Sequence, residues 1–137
     1  MLGNMVATTP AQGGDGFADE LYERVAKSTA GAITYSVDDF MTKKVIFRDC
    51  NGSNRTDVTP TATQIVDAIP NCVVGASFRV LFRNNTQSGS YTLTLDGGTG
   101  VTRWGDGVIA ATKFGEFLAV VTNVSTPAVE VFTLDDD

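Results

Sequence analysis

The stretch GASFRVLFRNN, residues 75 to 85, decides the fold class of this 137-residue chain. Large apolar side chains recur there at every second position, with arginines between them. A period of two is that of a β-strand whose two faces meet different surroundings. The stretch therefore predicts a strand over residues 77 to 83, with Phe78, Val80 and Phe82 facing the core and Arg79, Leu81 and Arg83 facing away from it.

Further short segments with strand character lie on both sides of this stretch. They recur about every ten residues and are separated by turns rich in Gly, Asn and Ser, a pattern typical of sandwiches and barrels. We therefore predict a mainly β fold, either an antiparallel β-sandwich, a jelly-roll-like fold or a small barrel, with one or two short helices. The other predicted strands are residues 32–36, 44–49, 91–95, 101–104, 108–111, 117–124 and 128–134.

A short amphipathic helix is predicted near the start of the chain, over residues 17 to 28. Phe17, Leu21 and Val25 recur there at a spacing of four, which places them on one helical face. A helix of about three turns does not persist alone in water, so this apolar face is expected to dock on another surface.

A second short helix is predicted over residues 60 to 69. Thr59 followed by Pro60 suits the first positions of a helix, and Thr61 with Gln64 also fits a capping box. The apolar face of this helix would be formed by Ile65, Val66 and Ile69.

The chain divides into two predicted units. Residues 1 to 16 are small, polar and glycine-rich, which is typical of an arm that orders only against a neighbour. Together with the first helix this arm makes up residues 1 to 30, and residues 31 to 137 form the β domain. The arm lacks the charged and apolar regions of a secretory signal, and no apolar run approaches the length of a membrane span.

The charge balance and the absence of histidine exclude several classes of function. The chain has 10 basic and 16 acidic residues, a net charge of -6, so we expect no nucleic-acid partner. Because no apolar run reaches the length of a membrane span, we expect no membrane partner either. Histidine is the commonest general base and metal ligand, and the chain has none. The two cysteines, Cys50 and Cys72, fit no zinc motif and could be either free thiols or a disulfide.

No constellation of residues predicts an enzyme, a metal site or a bound cofactor. The glycines at Gly98 and Gly100 do not complete a phosphate-binding motif, and they lie between strands rather than before a helix. Asp96 and Asp106 lie in glycine-rich turns, but their spacing matches no calcium loop, and aspartate is common in turns for backbone reasons. We therefore predict no catalytic, metal or cofactor-binding residues.

Some residues are candidates for contact with a partner. Trp104, in VTRWGDG, is expected at a loop tip, where it would contact sugar or protein or else fold over the rim of the sandwich. Arg79 and Arg83 alternate with the core-facing apolar set, and Arg48 and Arg103 could join them on one face. If they share a face, these arginines would either pair with acids of another subunit or form a solvated surface. The candidate interface residues are Phe17, Leu21, Val25, Ile65, Ile69, Arg79, Arg83 and Trp104.

Two long stretches resemble a domain found in structural proteins of tailed bacteriophages. They are TATQIVDAIPNCVVGASFRVLFRNNTQSGSYTLTLDGGTGVT and FGEFLAVVTNVSTPAVEVFTL, and the resemblance covers residues 58 to 134. The shared pattern is a Thr-rich helical turn ending in Ile-Pro, a Val-Gly-x-Ser-Phe strand, Asn-Asn, TLTLDGGTGVT, and two final strands carrying VTNV and VEVF. The resemblance implies a virion structural role, with the protein acting as a homotrimer.

The small size of the chain and the lack of a repetitive shaft favour a head decoration (cement) protein among such proteins. The resemblance then implies that the β domain clusters at local three-fold axes on the outer surface of the head, with the major capsid protein as partner. Synthesis would take place in the bacterial host cytoplasm. The alternative is a tail-fibre or tail-tip module that binds a host receptor or glycan.

Overall fold

The computed structural model describes residues 21 to 134, in which two β-sheets are accompanied by two short helical segments. The mainly β class with few short helices is confirmed. The strands are β1 Glu23–Lys27, β2 Lys44–Arg48, β3 Arg55–Val58, β4 Ser77–Asn84, β5 Leu93–Asp96, β6 Val101–Trp104, β7 Val108–Ile109, β8 Phe114–Asn123 and β9 Ala128–Thr133. The helical segments are a π-helical turn, Asp38–Lys43, and α1, Ala62–Ala68.

The two sheets are mixed rather than purely antiparallel. The larger has the strand order β1-β2-β4-β8-β9-β6, and the smaller has the order β3-β5-β7. Strand pairs β4–β8, β8–β9 and β5–β7 are antiparallel, whereas β1–β2, β2–β4, β3–β5 and β6–β9 are parallel. A parallel pair needs a long connection, and the chain between β2 and β4 provides one through β3 and α1. Alternation within a strand does not reveal its direction, which is why the sequence did not predict the parallel pairs.

The core lies between the two sheets and is closed by α1 and the π-helical turn. Phe82 is at its centre, because its ring packs edge-on against Phe117 at 5.5 Å and against Tyr35 at 5.3 Å. The predicted inward face of β4 is therefore correct at its centre. Other fully buried apolar side chains are Phe40, Ile46, Ile65, Val80, Leu93, Leu95, Val121, Val129 and Val131.

The helix predicted over residues 17 to 28 is wrong where the structure describes it. Glu23–Lys27 is strand β1, and it pairs in parallel with β2. Val25 lies beside Ile46 in this pairing and packs against the core. A spacing of four residues fits one face of a strand as well as one face of a helix, so pairing with β2 decides the conformation. Residues 1 to 20, which include the predicted arm and Phe17, lie outside the described residues.

The second predicted helix is confirmed as α1. Thr61 is its N-cap: the Thr61 hydroxyl accepts a hydrogen bond from the Gln64 backbone N–H, and the Gln64 side chain accepts one from the Thr61 N–H. The capping box is therefore the true start of the helix. The Thr59 hydroxyl instead accepts a hydrogen bond from the Gly98 N–H and donates one to the Pro60 carbonyl. Ile65 is fully buried in the core.

Loss of the cap hydroxyl is expected to lower stability measurably. Thr61→Ala should reduce the free energy of unfolding by about 1 kcal/mol, because it leaves the Gln64 backbone N–H without its acceptor at the first turn of α1. Urea denaturation followed by circular dichroism measures the change. Thr63→Ala, at an exposed position inside the same helix, is the matched control and should change little. Equal losses in both variants would contradict the role of the cap.

A buried ion pair connects the two sheets. Arg48 of β2 and Asp57 of β3 are both fully buried, and the Arg48 Nε donates to Asp57 Oδ2 at 2.7 Å. The Tyr35 hydroxyl donates to the same carboxylate at 2.6 Å, and the Ile33 N–H donates to Oδ1. The remaining Arg48 donors reach the carbonyl oxygens of Thr29, Gly31 and Asp49. This cluster therefore ties the segment after β1 to both sheets.

The Tyr35 hydroxyl makes stability depend on alkaline pH. Burial raises the pKa of Tyr35 above its ordinary value, and the hydrogen bond to Asp57 and its negative charge raise it further. The folded chain holds the phenol proton where the unfolded chain loses it, so this contribution is complete below about pH 10 and is lost as the pH rises further. Above about pH 10, the difference in the free energy of unfolding between the wild type and Tyr35→Phe should then decrease by about 1.4 kcal/mol per pH unit. Urea denaturation of both proteins at several pH values from 9 to 11 tests this. A difference between the two proteins that stays constant over that whole range would refute it.

Candidate functional site

The side of the six-stranded sheet that faces away from the core is the most prominent surface feature of the described residues. We call it the outer face. It is lined by alternate residues of the strands, and most of them are apolar and only partly buried. No described segment packs over it as a further layer. Its members are Val45, Phe47, Arg79, Leu81, Arg83, Phe114, Glu116, Leu118, Val120, Glu130, Phe132 and Trp104, with Arg24 at one edge.

Arginine and phenylalanine side chains stack on one another across four strands of the outer face. The Arg24 guanidinium lies 4.7 Å from the centre of the Phe47 ring, and the Arg83 guanidinium lies 5.0 Å from that of Phe114. The two rings meet edge-on at 6.2 Å. Arg83 is also held in place because it donates to the Thr112 carbonyl. We call these four side chains, Arg24, Phe47, Arg83 and Phe114, the arginine–aromatic cluster.

A second row of side chains crosses the other end of the outer face. Arg79 of β4 lies beside Leu118 of β8, which lies beside Phe132 of β9, which in turn lies beside Trp104 of β6. We call these four residues the Trp104 band. The Trp104 indole is 53% exposed and donates a hydrogen bond to Glu130 at 3.2 Å. Trp104 is thus the last residue of a strand rather than the tip of a loop.

The charge of the outer face differs from that of the whole chain. The chain has a net charge of -6, whereas the outer face combines three arginines with two glutamates. Arg79 and Glu116 form an ion pair at 3.6 Å whose side chains are 55% and 43% exposed, so water screens it strongly. Arginine and aromatic side chains are enriched in protein interfaces, because they combine a large apolar area with directional hydrogen bonding. The outer face is therefore suited to a partner with apolar and acidic groups.

Three of the predicted interface residues share the outer face, and the others do not. Arg79, Arg83 and Trp104 lie on it, so the common face of Arg79 and Arg83 is observed. Arg48 and Arg103 do not join them, because Arg48 is buried with Asp57 and Arg103 pairs with Asp96. Leu21 is exposed just before β1. Val25 packs against the core, and Ile65 is a core residue rather than a contact residue. Ile69 lines a cleft of about 300 Å³ together with Phe78. Phe17 is outside the described residues.

Sequence reasoning missed the apolar members of this face. Phe47, Phe114, Leu118 and Phe132 were not singled out, although all four are apolar members of the outer face that are only partly buried or exposed. A signal was present in the segment FLAVV, residues 117 to 121, which is apolar at every position. A strand with apolar residues on both sides is one that is covered on both faces.

The described residues provide no other arrangement with an obvious chemistry. Among residues 21 to 134, no group of three or more His, Cys, Asp or Glu side chains could hold a metal ion. Both cysteines are free thiols: Cys50 is buried beside Asn84, and Cys72 is partly exposed. Within the same residues, no helix has the length and apolar character needed to cross a membrane.

Comparison with known proteins identifies no relative. No protein family model, no curated protein and no solved structure matches this chain.

Proposed function

We propose that this protein acts by binding and assembly, as a head decoration (cement) protein of a tailed bacteriophage. In this proposal it binds the outer surface of the major capsid lattice as a homotrimer and stabilises the mature head. The observation that carries the assembly role is the outer face, an apolar sheet surface with a cluster of stacked arginines and phenylalanines. The resemblance of residues 58 to 134 to tailed-phage structural proteins directs the proposal to a phage particle.

Burial of the outer face provides the mechanism. Apolar area removed from water stabilises a complex by roughly 25 cal/mol per Å², and the stacked arginines offer hydrogen bonds to carboxylates of the partner at the same time. A trimer repeats these contacts three times, so each contact is allowed to be weak while the assembly stays bound. A protein that binds the intact shell, and not its disrupted subunits, shifts the equilibrium toward the intact shell.

A tail-fibre or tail-tip module is the second candidate, and Trp104 is the observation that favours it. Its indole is half exposed beside Glu130 at the edge of the sheet, an arrangement of aromatic ring and carboxylate that suits a sugar or a receptor side chain. Binding of the purified protein to host cells, abolished by Trp104→Ala, would favour this candidate over the first.

The thermal stability of heads tests the decoration role. Heads assembled without this protein should release their DNA at a lower temperature than complete heads, and adding the purified protein back should restore the difference. Light scattering with a DNA-binding dye follows the release. Equal resistance to heat and pressure of complete and deficient heads would remove the stabilising role.

A further inference from the structure

The residue that precedes β1 lies at the outer face, next to the Arg79 end of the Trp104 band. Tyr22, the residue before β1, lines a shallow cavity of about 220 Å³ together with Val45, Arg79, Leu81 and Glu116, all of which belong to the outer face. Leu21 and Tyr22 are 72% and 50% exposed. The described chain thus begins close to Arg79, at one end of the band.

The chemistry of the preceding residues complements that of the band. The 20 residues before Leu21 contain three acids, Asp15, Asp19 and Glu20, and no lysine or arginine. Arg79 marks the near end of the band, and its ion pair with Glu116 is long and exposed. Phe17, two residues before Asp19, is the only aromatic residue among those 20. Counted away from β1, the segment presents the acids Glu20 and Asp19 and then Phe17, and the band presents Arg79 and then Leu118 and Phe132, so the two orders match.

The length of the segment suffices to cross the face. Six strands spaced at about 4.8 Å give about 24 Å from β1 to β6. An extended chain advances about 3.3 Å per residue, so seven or eight residues cover that distance. Residues 15 to 22 are eight residues.

We propose that residues 15 to 20 bind the Trp104 band of their own molecule. Asp19 and Glu20 lie at Arg79 in this arrangement, and Phe17 covers the apolar side chains between Arg79 and Trp104. The arginine–aromatic cluster at the other end of the outer face stays open for the partner. This contact does not depend on the identity of that partner, so it can be tested independently of the proposed function.

The single tryptophan of the chain reports on this contact, because Trp104 lies in the band. We expect Phe17→Ala, in the full chain, to raise the acrylamide quenching constant of Trp104 about twofold and to shift its emission to the red, since the segment excludes water from the indole. Val6→Ala, which removes an apolar side chain upstream of residues 15 to 20, is the control and should leave both quantities unchanged. Unchanged quenching in Phe17→Ala would overturn the proposal.

Exchange of charges between Arg79 and Glu20 tests their direct contact, and dilution distinguishes binding within one molecule from binding by a second copy. Arg79→Glu should raise quenching as Phe17→Ala does, and the further change Glu20→Arg should restore part of the protection. If protection of Trp104 in the wild type increases with protein concentration, a second copy covers the band, and binding within one molecule is excluded. Additive effects of Arg79→Glu and Glu20→Arg would likewise exclude a direct contact between the two residues.

Discussion

Replacing Asp57 by alanine is expected to lower the free energy of unfolding by about 3–5 kcal/mol. The change leaves the fully buried Arg48 guanidinium without its counter-charge, and it also removes the acceptor of the Tyr35 hydroxyl and the Ile33 N–H. A loss of this size is a large fraction of the total stability of a domain, so the variant is expected to be partly unfolded at 37 °C. Urea denaturation at 15 °C, followed by circular dichroism, measures the difference.

Two further variants make the result specific. Asp96→Ala removes an acid from the neighbouring strand β5. Asp96 pairs with Arg103 at 3.6 Å in a partly exposed ion pair, so its loss should lower the free energy of unfolding by less than about 1 kcal/mol. If Asp57→Ala does not fold at all, the double variant Arg48→Met with Asp57→Leu should recover much of the stability, because it removes both charges. A loss in Asp57→Ala no larger than that in Asp96→Ala would show that the buried pair does not hold the sheets together.

Replacing Phe114 by alanine is expected to weaken binding of the protein to phage heads by roughly thirtyfold, which corresponds to about 2 kcal/mol. Phe114 is 52% exposed, yet it supports both the Arg83 guanidinium and the Phe47 ring. Its loss therefore removes one contact residue, the Phe114 ring, and takes away the support of a second, the Arg83 guanidinium, without changing the core. Co-sedimentation of the purified variant with heads that lack the protein measures the dissociation constant.

The matched control is Val108→Ala. Val108 is also apolar and 44% exposed, but it belongs to β7 of the smaller sheet, away from the outer face. Its truncation should leave binding within about twofold of the wild type. Strong binding by Phe114→Ala together with weak binding by Val108→Ala would move the contact surface from the larger sheet to the smaller one.

Local signals in the sequence predicted those elements whose conformation is decided locally. The cap of α1 depends on Thr61 and Gln64, which are three residues apart, and the structure places it where that motif lies. Strand β4 was predicted because its inner and outer positions alternate strictly. Strand β1 was missed because a spacing of four is shared by helix and strand, and only its pairing with β2 separates the two.

Long-range pairing explains what the sequence could not reveal. Asp57 lies at the end of a polar stretch that predicts a turn, and only the fold brings it to Arg48, which a strand pattern alone does not mark as buried. The outer face is likewise assembled from strands that are distant along the chain. Arg79 and Arg83 could be assigned to one face from their spacing, but their neighbours Phe114 and Phe132 depend on the strand order.

The location of the protein on phage particles tests the central proposal most directly. Particles banded by density from an infected culture would be labelled with gold-conjugated antibody against this chain and viewed by electron microscopy. We expect the label to be spread over the outer surface of the heads. Label confined to the tail tip, or absent from particles, would contradict it.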